Sequence, residues 1–206
     1  ANFLLIEEPE AHIHTHIQKT LFDKLKYDDT QIIYSTHSTH ISEVSNVQNV
    51  NILGREGDRC EAYQPAIGLN PEEIGNIQRY LDAVRSNLLF AKSVLLVEGD
   101  AEEILVPILI KNVLGVSLDE LGISLINIRS TGFQNVAVLF DDARIRKRCS
   151  IVTDLDKSII DTTPAAGDSE GLLRRKGKYQ ASQEKGVARK ALLEDTFKDN
   201  GWVSPF

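Results

Sequence analysis

The chain has 206 residues, of which 42% are hydrophobic, and its formal net charge is −7. This length and apolar content allow one or two domains with a buried core. Nothing in the sequence resembles a secretory signal or an apolar span of about 18 residues, so we expect a cytoplasmic protein outside the membrane. Cys60 and Cys149 lie far apart and lack metal-site spacing, which indicates two reduced thiols.

The charge is distributed unevenly along the chain. Residues 1–88 hold 7 basic and 13 acidic side chains, whereas residues 144–198 hold 13 basic and 8 acidic ones. The second region could present a basic surface to a phosphate-bearing polymer. It could equally be a solvated helix face and a loop, because charge runs are common on both.

The first 65 residues alternate between strand and helix patterns. Apolar runs and helical spacing predict, in order, a strand at 3–6, a helix at 15–26, a strand at 31–35, a helix at 40–45, a strand at 47–53 and, after a turn at 54–58, a fourth strand. Strand–helix–strand order favours a parallel α/β sheet.

Two acids follow the first predicted strand directly. The run Phe3-Leu4-Leu5-Ile6-Glu7-Glu8 has the form of a Walker B strand. Glu7 would lie near the Mg²⁺ of a nucleotide, and Glu8 would orient or deprotonate the attacking water. His37 follows the second strand and could contact a γ-phosphate. We expect Glu10, by contrast, to be a helix-start acid favoured by the helix dipole.

A helix is predicted to link this unit to a second one. Asn70-Pro71-Glu72-Glu73 predicts a helix start, with Asn70 as N-cap and Glu73 completing a capping box. Ile74, Ile77, Leu81, Val84 and Leu88 then recur at helical spacing. We therefore assign residues 66–91 to a helical linker.

The second unit is also predicted to be α/β. Its expected elements are a strand at 93–98, a helix at 101–114, a strand at 123–129, a helix at 133–143, a strand at 149–154, a flexible loop at 157–180 and a helix at 181–200.

Carboxylates follow two of these predicted strands. Asp100 is expected to cap the next helix with Glu103 as its capping-box partner, which leaves Glu98 and Glu102 to face a common crevice. Asp154 and Asp156 are two residues apart, so in an extended segment they would point to one side. Acids gathered at the carboxyl edge of a sheet repel one another unless a cation lies between them, and such oxygen ligands suit Mg²⁺ or Mn²⁺.

The motifs of the first unit resemble those of ABC-type ATPases, in particular the structural-maintenance and recombination-repair branch. Glu7-Glu8 matches the Walker B acids, Ala11-His12-Ile13-His14 the D-loop, and Ser35-Thr36-His37-Ser38 the H-loop. Glu7 departs from the Asp of most members, although its longer side chain could reach a metal through water. The sequence contains no Gly-x-x-x-x-Gly-Lys-Ser/Thr loop, so we expect only the C-terminal ATPase lobe here, without ATP hydrolysis of its own.

A strand-end Glu with a neighbouring Asp-x-Asp resembles a TOPRIM domain, the metal-binding domain of topoisomerases, primases and some nucleases. An ABC-type lobe joined to a TOPRIM domain is similar to the OLD (overcoming lysogenization defect) family of ATP-dependent nucleases, some of which act in antiphage defence. The resemblance implies an ATPase lobe at 1–65, the linker at 66–91 and a TOPRIM domain at 92–206 that is incomplete at its C-terminus.

The same resemblance implies a function and partners. Glu98, Glu102, Asp154 and Asp156 would hold one or two Mg²⁺ or Mn²⁺ ions for cleavage of DNA, with Glu98, Asp154, Asp156 and Glu8 as catalytic residues. Glu7, Glu8 and His37 would bind ATP together with a lobe that precedes this sequence. The protein would act in phage defence or DNA repair as a homodimer or higher oligomer. Two alternatives stay open: a nucleotidyl transferase or topoisomerase-like enzyme, and a non-catalytic ATP-driven DNA clamp.

Overall fold

The computed structural model describes residues 2–24, 29–81, 85–129 and 132–206. The strands are β1 (Asn2–Glu7), β2 (Thr30–Ser35), β3 (Ile52–Glu56), β4 (Arg59–Tyr63), β5 (Ser93–Val97), β6 (Ile123–Asn127), β7 (Arg148–Val152) and β8 (Val203–Pro205). The helices are α1 (Thr15–Lys24), α2 (Thr39–Val44), α3 (Pro71–Tyr80), α4 (Asp100–Leu114), α5 (Leu118–Leu121), α6 (Gln134–Ala137) and α7 (Glu170–Thr196), with 3₁₀ turns at Val47–Asn49 and Arg85–Leu89.

The N-terminal unit contains the predicted parallel strand pair. β1 and β2 run parallel over their whole length, which places Glu7 beside Ser35 at their carboxyl ends. α1 and α2 confirm the two predicted helices; residues 25 and 26, the predicted end of the first, lie outside the described residues. Both ATPase motifs therefore follow neighbouring strand ends.

The predicted third strand is wrong over residues 47–51. The Asn46 side chain accepts a hydrogen bond from the Gln48 backbone N–H at 3.0 Å, which closes a 3₁₀ turn at Val47–Asn49. β3 begins only at Ile52, and it runs through Gly54 to form an antiparallel hairpin with β4. Gly54 pairs with Glu61 across this hairpin, so it belongs to the strand and not to the predicted turn, and a side chain there would meet the Tyr63 ring at 2.5 Å.

The linker has the predicted helix start. The Asn70 side chain accepts hydrogen bonds from the backbone N–H groups of Glu72 and Glu73, and the Glu73 carboxylate accepts one from the Asn70 N–H at 2.8 Å. The α-helix ends at Tyr80, however, and Leu88 belongs to the 3₁₀ turn at Arg85–Leu89; residues 82–84, with Val84, lie outside the described residues. Ile77, Leu81 and Leu88 are buried in the core.

The C-terminal unit is a four-stranded sheet, all parallel, in the order β6-β5-β7-β8. β5 is central, and its side chains at Val94, Leu96 and Val97 are almost fully buried. The α/β fold with a mostly parallel sheet is thus confirmed. The register pairs Val97 with Val152, so the residues after β5 and β7 emerge side by side.

Two predictions in this unit are wrong. The helix expected at 133–143 is reduced to Gln134–Ala137. Further along, the Asp141 carboxylate accepts the backbone N–H groups of Ala143 and Arg144, which turns the chain. The flexible loop expected at 157–180 ends at residue 169, where Ser169 caps α7. α7 is 27 residues long and includes the predicted helix up to Thr196. Among the described helices, none combines the length and apolar character needed to cross a membrane.

Candidate active site after β5 and β7

The turn after β5 differs from the predicted capping arrangement. Gly99, not Asp100, is the N-cap of α4, and Glu102 is the capping-box partner, because its Oε2 accepts the Gly99 N–H at 3.0 Å. Glu102 therefore has a structural role that the sequence interpretation did not give it. Its contribution to a metal site stays a prediction.

Asp100 and Glu103 have a different role from capping. Both carboxylates accept hydrogen bonds at 2.7 Å from the side-chain amide of Asn127, the last residue of β6. These two acids fasten the start of α4 to the neighbouring strand. As a result they hold the turn that contains Glu98 in position at the sheet edge.

The segment after β7 is not fully extended. Asp156 has a φ of 52°, in the left-handed region, and its backbone N–H donates to the Asp154 Oδ1 at 2.9 Å. The expectation that an extended backbone would align these two acids is therefore wrong. The turn instead bends Asp156 back toward the strand ends, while Asp154 stays exposed.

Arg189 of α7 joins the acids of the two strand ends. Its Nη2 lies 3.0 Å from the Glu98 Oε2 and 3.8 Å from the Asp156 Oδ2, and it donates to the Asp154 carbonyl at 2.6 Å. Its Nε donates to the Thr153 hydroxyl at 2.7 Å, and that hydroxyl donates to Glu98 at 3.0 Å. Neither Arg189 nor Thr153 was predicted from the sequence.

Gly186 lets α7 come close enough for this contact. A Cβ at Gly186 would lie 2.7 Å from the Leu155 carbonyl carbon and 2.8 Å from its oxygen, closer than side-chain atoms pack. Gly186 precedes Arg189 by about one helical turn, so the two lie on the same face of α7. Because Gly186 has no side chain, α7 can pack directly against the 153–156 segment.

These residues fit a divalent cation in their chemistry. Among the described residues, no three His, Cys, Asp or Glu side chains are grouped closely enough to hold a metal ion. Glu98, Asp154 and Asp156 are nevertheless hard oxygen donors at adjacent strand ends, the donor type that Mg²⁺ and Mn²⁺ prefer. The Glu98 and Asp156 carboxylates already share one positive group, the guanidinium of Arg189.

The predicted ATPase residues lie together at the end of β1 and β2. The His37 Nε2 is 3.6 Å from the Glu8 Oε1, and Glu7 is the last residue of β1. The His37 ring centroid also lies 6.4 Å from that of Phe90, which directly precedes the C-terminal unit. His37, the predicted H-loop residue, thus lies beside both Glu8 and the beginning of the second unit.

Glu10 is not a helix-start acid, since α1 begins only at Thr15. Its Oε1 accepts the Thr36 hydroxyl at 2.6 Å and the His37 backbone N–H at 2.9 Å, so it holds the H-loop against the turn after β1. Desolvation, together with a hydrogen bond to Glu10, raises the pKa of Glu8. Desolvation alone would raise the pKa of Glu10. The hydrogen bonds from Thr36 and the nearby backbone outweigh it, so the pKa of Glu10 is lowered.

Two clusters of basic side chains, the first at residues 144–148 and the second at residues 174–178, have different surroundings. Side chains of the first cluster contact the protein itself: Arg144 pairs with Asp141, Arg146 with Glu61, Lys147 donates to the Leu89 carbonyl, and Arg148 donates to the Gly201 carbonyl. In the second cluster Lys176 is buried against Asp168, whereas Arg174, Arg175 and Lys178 are exposed on α7. Arg174, Arg175 and Lys178 therefore form a solvent-exposed basic surface on α7.

Two protein families match parts of the chain. Residues 89–156 match the family described as "Overcoming lysogenization defect protein-like, TOPRIM domain". Residues 1–43 match "AAA domain, putative AbiEii toxin, Type IV TA system". The first match begins beside the 3₁₀ turn at Arg85–Leu89 and ends at Asp156, and it contains Glu98, Asp154 and Asp156. No curated protein matches the chain.

Proposed function

We propose that this chain, in which residues 89–156 match an OLD-like TOPRIM domain and residues 1–43 match an AAA-type domain, is part of a divalent-metal-dependent DNA endonuclease with a role in phage defence or DNA repair. The two matched domains support a nuclease and ATPase function. One observation supports the metal-dependent activity above all. The carboxylates of Glu98 and Asp156, which follow adjacent parallel strands, both contact the Arg189 guanidinium. Ligand sites of open α/β sheets lie at this carboxyl edge.

Glu98, Asp154 and Asp156 would hold the metal. A bound Mg²⁺ or Mn²⁺ would lower the pKa of a water molecule and neutralise charge on the scissile phosphate. The Thr153 hydroxyl, through its hydrogen bond to Glu98, fixes the orientation of that carboxylate. Asn127 fixes the start of α4 and therefore the turn at Gly99.

DNA would approach along α7. Lys178 precedes Arg189 by 11 residues on this helix, a separation of roughly 16 Å at about 1.5 Å per residue. The exposed Arg174, Arg175 and Lys178 could therefore contact backbone phosphates next to the site, and such contacts supply sequence-independent affinity.

The N-terminal lobe would couple ATP to this site. Glu8 would orient the attacking water, with Glu7 near the nucleotide's Mg²⁺ and His37 near the γ-phosphate. The proximity of His37 to Phe90 supports a direct connection between the H-loop and the TOPRIM unit.

The test is cleavage of supercoiled plasmid by the full-length protein with Mg²⁺ or Mn²⁺. We expect nicking or cutting that is lost in Glu98→Gln and in Asp154→Ala but kept in Glu184→Gln, whose exposed carboxylate lies on α7 and contacts Gln180. Metal-independent DNA binding without cleavage would instead indicate an ATP-driven clamp. Supercoil relaxation or primer synthesis would indicate the topoisomerase or nucleotidyl-transferase class.

A further inference from the structure

The Arg189 guanidinium lies between the Glu98 and Asp156 carboxylates, where the proposed metal ion would bind. Its side chain is only 15% exposed, and those of Glu98 and Asp156 are 26% and 38% exposed. Among the described residues, its guanidinium makes polar contacts with four groups that follow β5 or β7: Glu98, Thr153, the Asp154 carbonyl and Asp156. A guanidinium can satisfy several oxygen acceptors at once because its five N–H donors form a planar fork.

We infer that Arg189 competes with the divalent metal for the carboxylates of Glu98 and Asp156. Its guanidinium must leave these carboxylates before the ion can bind. This inference rests on the proposed metal-dependent function and adds a step of regulation to it. The Nη2 group and a metal ion would need the same carboxylate oxygens, and two cations at one position repel each other. Metal loading therefore requires Arg189 to move away.

The movement would involve α7 as a whole or the Arg189 side chain alone. Gly186 seats α7 on the Leu155 backbone, so the arginine is delivered by a closely packed helix and not by a loose loop. The same helix presents Arg174, Arg175 and Lys178 to solvent. DNA bound to these three residues could thus shift the helix and release the site for metal.

The test measures Mn²⁺ affinity of the full chain by electron paramagnetic resonance and by calorimetry, without any cleavage assay. In Arg189→Gln, Mn²⁺ does not have to displace the hydrogen bonds between the guanidinium and the carboxylates. Each such charged hydrogen bond is equivalent to about tenfold in Mn²⁺ affinity. We therefore expect Arg189→Gln to bind Mn²⁺ at least about tenfold more tightly than the unmodified protein. Arg189→Lys should lie between them, because an ammonium keeps the charge but cannot bridge the same set of acceptors.

Lys190→Gln is the matched control. It removes one positive charge from the next position of α7, where the lysine ammonium pairs with Glu194 at 3.7 Å and not with the site. Its Mn²⁺ affinity should equal that of the unmodified protein. A thermal melt gives a second readout: Arg189→Gln should melt lower than the unmodified protein without metal and gain more from added Mn²⁺.

The outcomes separate the two proposals. Unchanged or weaker Mn²⁺ binding in Arg189→Gln, while the unmodified protein binds Mn²⁺, would overturn the competitor role and leave the nuclease proposal standing. Absence of Mn²⁺ binding in every variant and in the unmodified protein would overturn both. If Arg189→Gln does not fold, the comparison of Arg189→Lys with Lys190→Gln decides: equal affinities would contradict the inference.

Discussion

The seating of α7 on the 153–156 segment depends on a single glycine. A methyl group at Gly186 would lie 2.7 Å from the Leu155 carbonyl carbon and 3.0 Å from its Cα. Because these are backbone atoms, they cannot rotate away as the end of a flexible side chain would. Gly186→Ala must therefore push α7 and the segment apart, at a cost of roughly 1–3 kcal/mol by analogy with overpacked cores.

Helix propensity acts in the opposite direction. Replacing a glycine inside a helix by alanine favours the helix by about 1 kcal/mol. Gly177→Ala isolates this gain, since Gly177 lies on the same helix and a methyl group there would contact nothing. The difference in unfolding free energy between the two variants is then the packing cost alone.

The assay is urea unfolding with a parallel thermal melt. We expect Gly177→Ala to be more stable than the unmodified protein by about 1 kcal/mol, and Gly186→Ala to be less stable than Gly177→Ala by roughly 2 kcal/mol. That difference corresponds to roughly 4–8 °C in Tm for a domain of about 200 residues. Equal stabilisation by both substitutions would refute the close approach of α7 to Leu155, and with it the position of Arg189.

Three other predictions concern the rest of the chain. Burial lowers the pKa of Lys147 from 10.5 to about 8, so the unfolded state holds more protons between these values. The free energy of unfolding of the unmodified protein, relative to that of Lys147→Met in urea at each pH, should therefore rise with pH from about 8 to 10.5 by linkage, and a pH-independent difference would contradict this. Replacing Arg174, Arg175 and Lys178 by Gln should weaken DNA binding and reduce the slope of log affinity against log salt by about 2–3, measured by fluorescence anisotropy; an unchanged slope would exclude these side chains from the DNA interface. Glu8→Gln in the full-length protein should abolish ATP turnover in a phosphate-release assay but keep part of the DNA cleavage, because the two acidic centres follow different sheets; complete loss of cleavage would show tight coupling between them.

The positions of the strand-end acids follow from the sequence because the signal is local. β5 is a short apolar run that ends at Val97, directly before Glu98, and β7 ends at Val152, two residues before Asp154. Parallel strands bring their carboxyl ends to one edge, so the proximity of Glu98 to this segment was predictable. The capping of α4 was not, because Gly99 and Asp100 both fit an N-cap and only the three-dimensional position of Asn127 decides between them.

The first half of α7 could not be predicted from apolar periodicity. Between residues 170 and 180 the described side chains are exposed except for Lys176 and Tyr179, so no apolar face faces the core. Gly171 and Gly177 also lower helix propensity. At 133–143 a helix was predicted where the structure has only one short helical turn and loops. Phe133, Leu139 and Phe140 of this region are all fully buried. An apolar run buried on every side does not distinguish a helix from a series of turns.

Arg189 was missed because nothing local marks it. It lies 33 residues after Asp156 in the sequence, inside a helix with many basic residues. The available signal is the pair Gly186 and Arg189, one helical turn apart, which indicates a face that packs closely against something. What that face packs against is fixed only by the tertiary structure.

The central claim is that the acids after β5 and β7 form a divalent-metal site. The most direct measurement is the anomalous X-ray signal of Mn²⁺ in crystals of the full-length protein. We predict an anomalous peak coordinated by Glu98 together with Asp154 or Asp156, with the Arg189 guanidinium displaced from between the carboxylates. Crystals that contain Mn²⁺ elsewhere but show Arg189 still bonded to Glu98 and no peak at these acids would contradict the claim.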